Sequence, residues 1–375
     1  MSDGVTLSQT NVVVGKSLWQ LAFARFLSSR FAVINLAILA VIAAVSFVAP
    51  LIYPHSYATV YREYILVPPS LTAYPDQPMT EKAFSRLMRA GRYQVESLEV
   101  AEDAVSATIT ARKPIKVETL NKAFALGSMF QEPQIITQSE DGKQLEITAA
   151  INRQYFVFGT DENGRDLLAR IMAGGRISIL IGIAATLTSI VIGVMYGAIA
   201  GYVGGRTDAV MMRFVDILYG IPLMFFVIVL VTFFGRNILL LFVALGAVEW
   251  LTMARIVRGQ TMSLMQAEFV TGARVAGLPM WSILRRHVLP NVMGPVVVYA
   301  TLNMPAVILA ESFLSFLGLG VQEPMASWGV LIADGARRME TASWLLIFPG
   351  IFLILTVMCI NFVGDSMRDA IDPKR

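Results

Sequence analysis

Cysteine and histidine are almost missing from this chain: its 375 residues include one cysteine, Cys359, and two histidines, His55 and His287. A lone cysteine excludes an internal disulfide, so every folded part must be held by packing. Two histidines far apart in sequence argue against a histidine-rich metal site and against a serine-histidine-aspartate hydrolase. Charge is scarce as well. Only 15% of residues are Asp, Glu, Lys or Arg while 55% are hydrophobic, too apolar a balance for one soluble domain with a water-facing surface. A phosphate-binding loop is also lacking. Val14, Gly15, Lys16 and Ser17 copy the end of one, but its first glycine would fall on Thr10. Asp161, Asn163, Gly164 and Asp166 hint at a calcium loop, yet their spacing fails and no glutamate closes it. No catalytic residue, metal ligand or bound cofactor is expected, and the chain does not read as an enzyme.

What is present is a set of long uncharged runs. A membrane-crossing helix needs roughly 20 apolar residues. Runs of that kind cover 31–53, 177–203, 217–234, 238–254, 294–317 and 344–364, which predicts an all-α polytopic membrane protein with about six spans. The third and fourth are separated only by Gly235, Arg236 and Asn237, so they should form a tight hairpin. Trp344 sits where an amphipathic ring anchors at an interface.

Basic residues set the orientation. Lys16, Arg25 and Arg30 precede the first span; Arg206 and Arg213 follow the second; Arg255, Arg258, Arg274, Arg285 and Arg286 lie between the fourth and fifth; Arg368, Lys374 and Arg375 end the chain. By the positive-inside rule both termini are cytoplasmic, which leaves Arg236, Arg337 and Arg338 outside. This bias also accounts for the net charge of +3 without nucleic-acid binding. The tail 1–30 is expected to stay attached. Trp19, Phe23 and Phe26, at helical spacing beside Lys16 and Arg25, fit either a helix on the inner leaflet or a plain cytosolic tail.

Between 54 and 157 the composition turns polar over a stretch far longer than an ordinary helix connection. This predicts an inserted α+β domain on the outer side. A helix from Thr80 to Gly91 and strands at 95–100 and 104–111 are followed by a helix from Val117 to Leu126 and strands at 134–137 and 144–151. The order suggests a doubled helix-strand-strand unit, against the alternative that two short motifs coincide by chance. Its expected place is capping the outer mouth or touching a substrate-delivering partner.

In the cytoplasmic loop 257–291, the stretch AEFVTGARVAGLPMWSILRRHVLPN reads as two short helices joined at a turn. Gly277 suits a left-handed cap and Pro279 the first turn of the next helix. Gly272 and Ala273 are expected to leave a shallow face that another protein can approach, with Arg274, Arg285 and Arg286 as a basic rim. Gly193, Gly197, Gly201 and Gly205 recur every fourth residue, which favours close helix packing over a substrate-path role. Glu249, Asn303 and Glu311 are polar within apolar spans, where a carboxylate costs about 2.5 to 3.5 kcal/mol on insertion scales, so they should face protein or water. Glu249, next to Trp250, reads as lying near the cytoplasmic interface.

The loop resembles the EAA loop of ABC-importer permeases, a pattern of Glu-Ala-Ala, Gly, Ile and Leu-Pro in which Ala273, Gly277, Leu289 and Pro290 match in register. Thr271 and Gly272 replace the leading Glu-Ala, and His287 stands where the general pattern has Ile. RHVLPN (286–291), together with FGTDENGRDLLARIMAGGRIS (158–178), SFLGLGVQEPMASWGVLIADG (315–335) and GDSMRDAIDPKR (364–375), is similar to the C-type subunit of the dipeptide/oligopeptide branch. The resemblance covers the first span and 158–375, and leaves the polar insertion unmatched.

The resemblance implies a type I importer permease fold in a bacterial inner membrane. It implies a homologous second permease, two ABC ATPases that carry the ATP and magnesium, and a periplasmic substrate-binding protein that sets much of the selectivity. Glu268, Thr271, Gly272, Ala273, Arg274, Gly277, Leu289 and Pro290 would then couple to an ATPase, through a helix expected from Leu264 to Ala276. Asn303 and Glu311 become gate or pathway candidates; a structural bond near the outer gate is preferred for Glu311, which precedes SFLGLG. Peptides are the expected substrate, with nickel chelates, glutathione and peptide antibiotics as alternatives within the branch. An ion-gradient-driven secondary transporter is the rival of another class, but it needs intramembrane ionisable relays that the spans scarcely offer.

Overall fold

The computed structural model describes residues 18–125, 127–235 and 238–371. Thr10, Val14, Gly15, Lys16, Ser17, Leu126, Arg236, Asn237, Lys374 and Arg375 lie outside the described residues, as does the Trp19 side chain. The helices are α1 (Leu18–Ser28), α2 (Arg30–Phe47), α3 (Gln77–Ala90), α4 (Val117–Ala125), α5 (Leu167–Val203), α6 (Gly205–Tyr219), α7 (Leu223–Phe234), α8 (Ile238–Leu264), α9 (Glu268–Val275), α10 (Met280–Ile283), α11 (Leu289–Phe316), α12 (Trp328–Arg337) and α13 (Trp344–Ile371). The strands are β1 (Gln94–Val100), β2 (Ala104–Thr110), β3 (Gln134–Gln138) and β4 (Gln144–Ala150).

By length and composition, four of the described helical stretches can cross a membrane: Arg30–Leu51, Leu167–Val203, Met280–Phe316 and Trp344–Ile371. The run expected as one span over 217–234 is divided. It begins in α6 and stops at Gly220, and α7 starts only after Pro222. Proline has no N–H to donate and disfavours helical geometry in the residue before it, which breaks the run.

The chain divides into two compact units: Met1–Ile42, Ile179–Glu311 and Ile354–Arg375 form one, Ala43–Ser178 and Ser312–Leu353 the other. In the first, an apolar core gathers Val194, Met253, Val257, Val270, Leu284, Val288 and Val296. The α5 glycines let α8 approach closely there. A Cβ on Gly193 would stand 2.6 Å from the Met253 Cβ, one on Gly201 2.7 Å from the Arg258 carbonyl, and one on Gly197 against the Ala254 carbonyl. Gly205 does not continue the stripe. It opens α6 at φ 58°, with no neighbouring atom among the described residues within 4 Å of an added Cβ, because α5 ends at Val203.

In the second unit the polar stretch folds as a sheet of order β1-β2-β4-β3, antiparallel throughout, with α3 and α4. Asp76 caps α3 by accepting the Met79 N–H at 2.9 Å, so that helix starts three residues before Thr80. The two halves repeat at one interval: helices start at 77 and 117, strands at 94 and 134 and again at 104 and 144, forty residues apart each time. The edge strands even carry register shifts at matching places, Val95/Ser97 and Ile135/Thr137. Phe84 and Phe124, also forty apart, meet edge to face at 6.2 Å in a core with Met88, Ile109, Leu120, Leu145 and Ile147. Phe156 closes this core, and the segment 61–67 hydrogen-bonds to Thr160, Asp161 and Gly164, which ties the region to the residues entering α5.

Candidate functional site

The segment from the end of α8 to the start of α11 is built around one turn. The helix expected from Leu264 is shorter: Leu264 ends α8, a turn follows, and α9 begins at Glu268. At its C-terminus the Gly277 N–H donates to the Arg274 carbonyl at 3.0 Å and the Leu278 N–H to the Ala273 carbonyl at 3.2 Å. This paired closure needs a left-handed residue after the cap. Gly277 supplies it at φ 74°. Pro279 caps α10, and a π-helical turn, Leu284–Val288, carries the chain into α11. In that turn Leu284 and Val288 lie in the core while Arg285 and Arg286 are exposed.

α9 has two faces. Val270 and Ala273 are buried against the core, whereas Glu268, Thr271, Gly272 and Arg274 are exposed. Gly272 and Ala273 therefore do not share a shallow face as the sequence suggested, because neighbouring helix residues point about 100° apart. Of the two, Gly272 is the open one, with no neighbouring atom among the described residues within 4 Å of an added Cβ. Around it stand apolar side chains with no cover: Val275 is 84% exposed, Trp281 59% and Phe269 48%. Arg274 lies over the Tyr202 ring at 5.5 Å. Leu289 is half-buried and Pro290 exposed. Met195, Trp281, Ser282, Arg285, Arg286 and Leu289 line a cleft of about 520 Å³ beside the π turn.

Two arginines of this unit are engaged in ways the sequence did not reveal. Arg258 grips Asp208 of α6 with two contacts of 2.5 Å, and Arg255 meets Asp216 at 2.9 Å while lying over the Tyr219 ring at 4.4 Å. Planar guanidinium and carboxylate pair well in two-point contacts, which fastens α6 to α8. Glu249 is not a lone polar residue: it hydrogen-bonds to Asn303, joining α8 to α11. Glu311 is fully buried.

The second unit holds a buried ionic network. Asp161 accepts the backbone N–H groups of Asn163 and Arg165 at 2.9 and 2.8 Å, takes the Arg165 side chain at 2.7 Å, and pairs with Arg170. These bonds account for the stretch that imitates a calcium loop. Arg165 also reaches Glu323 at 2.8 Å. Nearby, Asp166 is fully buried and receives His55 Nδ1 at 2.5 Å and the Tyr53 hydroxyl at 2.8 Å. The hydrogen bond to Asp166 raises the His55 pKa above the ordinary histidine value, against burial, which pulls it down. His55 and Asp166 are 111 residues apart, so no local spacing could signal the pair.

Comparison with known proteins gives this geometry its setting. Residues 193–375 match the family described as binding-protein-dependent transport system inner membrane component, and residues 17–69 match the N-terminal TM domain of oligopeptide transport permease C. The α3-to-β4 region lies outside both matches. The oligopeptide transport system permease protein OppC of Haemophilus influenzae is 61% identical over 220 residues, 59% of this chain and 71% of that protein. OppC of Escherichia coli K12 is 57% identical over 217 residues, 58% of this chain and 72% of that one. The dipeptide transport system permease protein DppC of Bacillus subtilis is 47% identical over 218 residues, 58% of this chain and 68% of that one. Among solved structures, the inward-facing MetNI methionine ABC transporter matches 54% of this chain and 96% of the compared chain, at 18% identity and a TM-score of 0.44.

Proposed function

Because this chain belongs to the oligopeptide transport permease family, the membrane subunits of ABC importers, we propose that it forms half of a peptide translocation pathway and receives its driving force through α9. It is a transport subunit, and hydrolysis of ATP belongs to its partners. In this reading the chain has a type I importer fold with six crossings, the α7–α8 hairpin included, and lies in a bacterial inner membrane with both termini cytoplasmic. The sheet with α3 and α4 is its periplasmic insertion. A homologous permease, two ABC ATPases and a periplasmic binding protein complete the machine, as the family description, a binding-protein-dependent system, supports.

One observation carries the coupling role: α9 is anchored on one side by Val270 and Ala273 and leaves Gly272 and Val275 uncovered on the other, with Trp281 of the following α10 exposed as well. Such a patch beside a backbone free of side chains suits a groove on another protein. ATP drives transport only if the ATPases bind the inward-open and outward-open arrangements with different free energy. A short helix anchored in the permease core and gripped from outside passes that difference on as a rigid-body movement. In this reading Glu268, Thr271, Gly272, Arg274 and Gly277 face the ATPase, while Ala273 and Leu289 hold the segment to the core. Gly193, Gly197 and Gly201 set the α5–α8 packing beneath it, and Asn303 and Glu311 belong to the gate or pathway.

The test is a cysteine at position 272 in a Cys359→Ser background, probed in the assembled importer with a short bifunctional cross-linker. A cross-link to the ATPase whose yield changes with bound nucleotide is expected. Labelling of the same cysteine from outside intact cells by a membrane-impermeant maleimide contradicts the placement.

A further inference from the structure

At the end of the sheet, the turn after α3 and the connection from β2 to α4 enclose a cleft of about 690 Å³. Arg92, Arg112, Lys113 and Lys116 stand exposed around it, and Tyr93 and Ile115 are buried beneath. Its lining contains no Asp or Glu. None of the four cations has an ion-pair partner among the described residues; of the two acidic residues in the nearby β3–β4 turn, Asp141 is paired with Lys143 at 3.7 Å and Glu140 makes no ion pair with any of the four.

Two observations indicate that these charges serve something outside the fold. The first is the conformation of Arg92. α3 closes like α9, with the Arg92 N–H donating to the Arg89 carbonyl at 3.0 Å and the Tyr93 N–H to the Met88 carbonyl at 2.9 Å. The left-handed residue of α9's closure is Gly277; here it is an arginine at φ 62°. Glycine takes that conformation without strain and arginine does not. The turn does not call for the side chain. The second is position. Thr110 pairs with Gln144 and Ala104 with Ala150, so the exits of β2 and β4 lie at opposite ends of the sheet. The chain enters beside Tyr74 and leaves beside Gln154, which bridge each other, and the cleft is at the far end, roughly 20 Å away along seven-residue strands.

We infer that this cleft docks an acidic patch of the soluble substrate-binding protein that delivers cargo to the importer. The inference rests on the outward placement of the sheet proposed above. Unpaired like charges around one opening repel one another, and a surface of opposite charge relieves that repulsion and speeds encounter. The cleft lies at the end of the strands opposite both chain attachments, and its four exposed cations match a soluble acidic partner; anionic lipid is the competing ligand that the experiment separates from it.

The importer with its binding protein, reconstituted in nanodiscs, supplies the test. The variant carries Arg92→Gly, Arg112→Gln, Lys113→Gln and Lys116→Gln, and ATP hydrolysis is titrated with binding protein. The half-saturating concentration should rise roughly tenfold, what four exposed ion pairs of ordinary strength supply, with the maximal rate kept. Added salt should weaken docking of the unmodified importer and leave the variant almost unmoved. An unchanged half-saturation overturns the proposal, as does a fall in maximal rate alone. A shift that disappears when anionic lipid is left out of the nanodiscs assigns the cleft to lipid and also overturns it. Lys113→Cys in the Cys359→Ser background separates the two layers of the argument. Labelling of intact cells from outside beside an unmoved titration defeats docking alone, whereas no labelling from outside defeats the outward placement.

Discussion

The sheet region and the α9–α10 segment are both made of short amphipathic helices, and they dispose of their apolar faces in opposite ways. α3 and α4 turn Phe84, Met88, Leu120 and Phe124 into a core that also receives Ile109, Leu145 and Ile147 from the strands. α9 and α10 bury Val270, Ala273 and Ile283 and leave Phe269, Val275 and Trp281 in the open. Their closing turns differ in the reverse sense: the self-contained region spends an arginine where backbone geometry prefers glycine, and the exposed segment uses the glycine. A region with a complete core needs no partner to fold, and its surface is free to carry recognition charges. A segment with a half-filled face has apolar surface left for another protein to cover.

Substitutions on each side can break this contrast. The largest effect is expected at Phe84, fully buried among Phe124 and Phe130. Phe84→Ala should cost about 3 to 5 kcal/mol through lost burial and the cavity left behind. Hydrogen exchange should then accelerate across 77–150 with little change in the long apolar helices; uniform protection would show that the core is not what holds the sheet.

A smaller effect, with a sign in pH, belongs to His55. Its folded pKa is raised by Asp166, so the pair's stabilisation is complete below the unfolded histidine value and fades as pH climbs through the raised one. Exchange of the 53–67 backbone should quicken over that window, and His55→Gln should abolish the step. A step that persists in the variant assigns it to another group.

The smallest effect on stability is expected at Trp281, which is mostly exposed. Trp281→Ala should change thermal stability of the isolated subunit by no more than about 0.5 kcal/mol. Retention of the ATPase during purification should nonetheless fall. Destabilisation without loss of the partner would mean that the ring packs within the chain.

Much of this was legible in the sequence because it is local. Alternation in 104–110 and 144–150 and the glycine at 277 act through near neighbours, and strands and a left-handed cap stand at those places. The interval of forty residues between the two halves was within reach of the same reading. What could not be read depends on partners distant in the chain. The Arg165–Glu323 bond joins residues 158 apart, Asp208 meets Arg258 across 50, and neither leaves a mark on spacing. The break at Pro222 was visible as a proline but was masked by the hydropathy on both sides. The split of Gly272 from Ala273 follows from helix geometry once the start of α9 at Glu268 is known.

The central claim is that a partner grips α9 at its bare face. Substrate-stimulated ATP hydrolysis by the reconstituted importer carrying Gly272→Trp tests it most directly, since among the described residues no neighbouring atom lies within 4 Å of a Cβ added there. The account predicts normal membrane insertion with stimulation lost. Stimulation equal to that of the unmodified importer would contradict it.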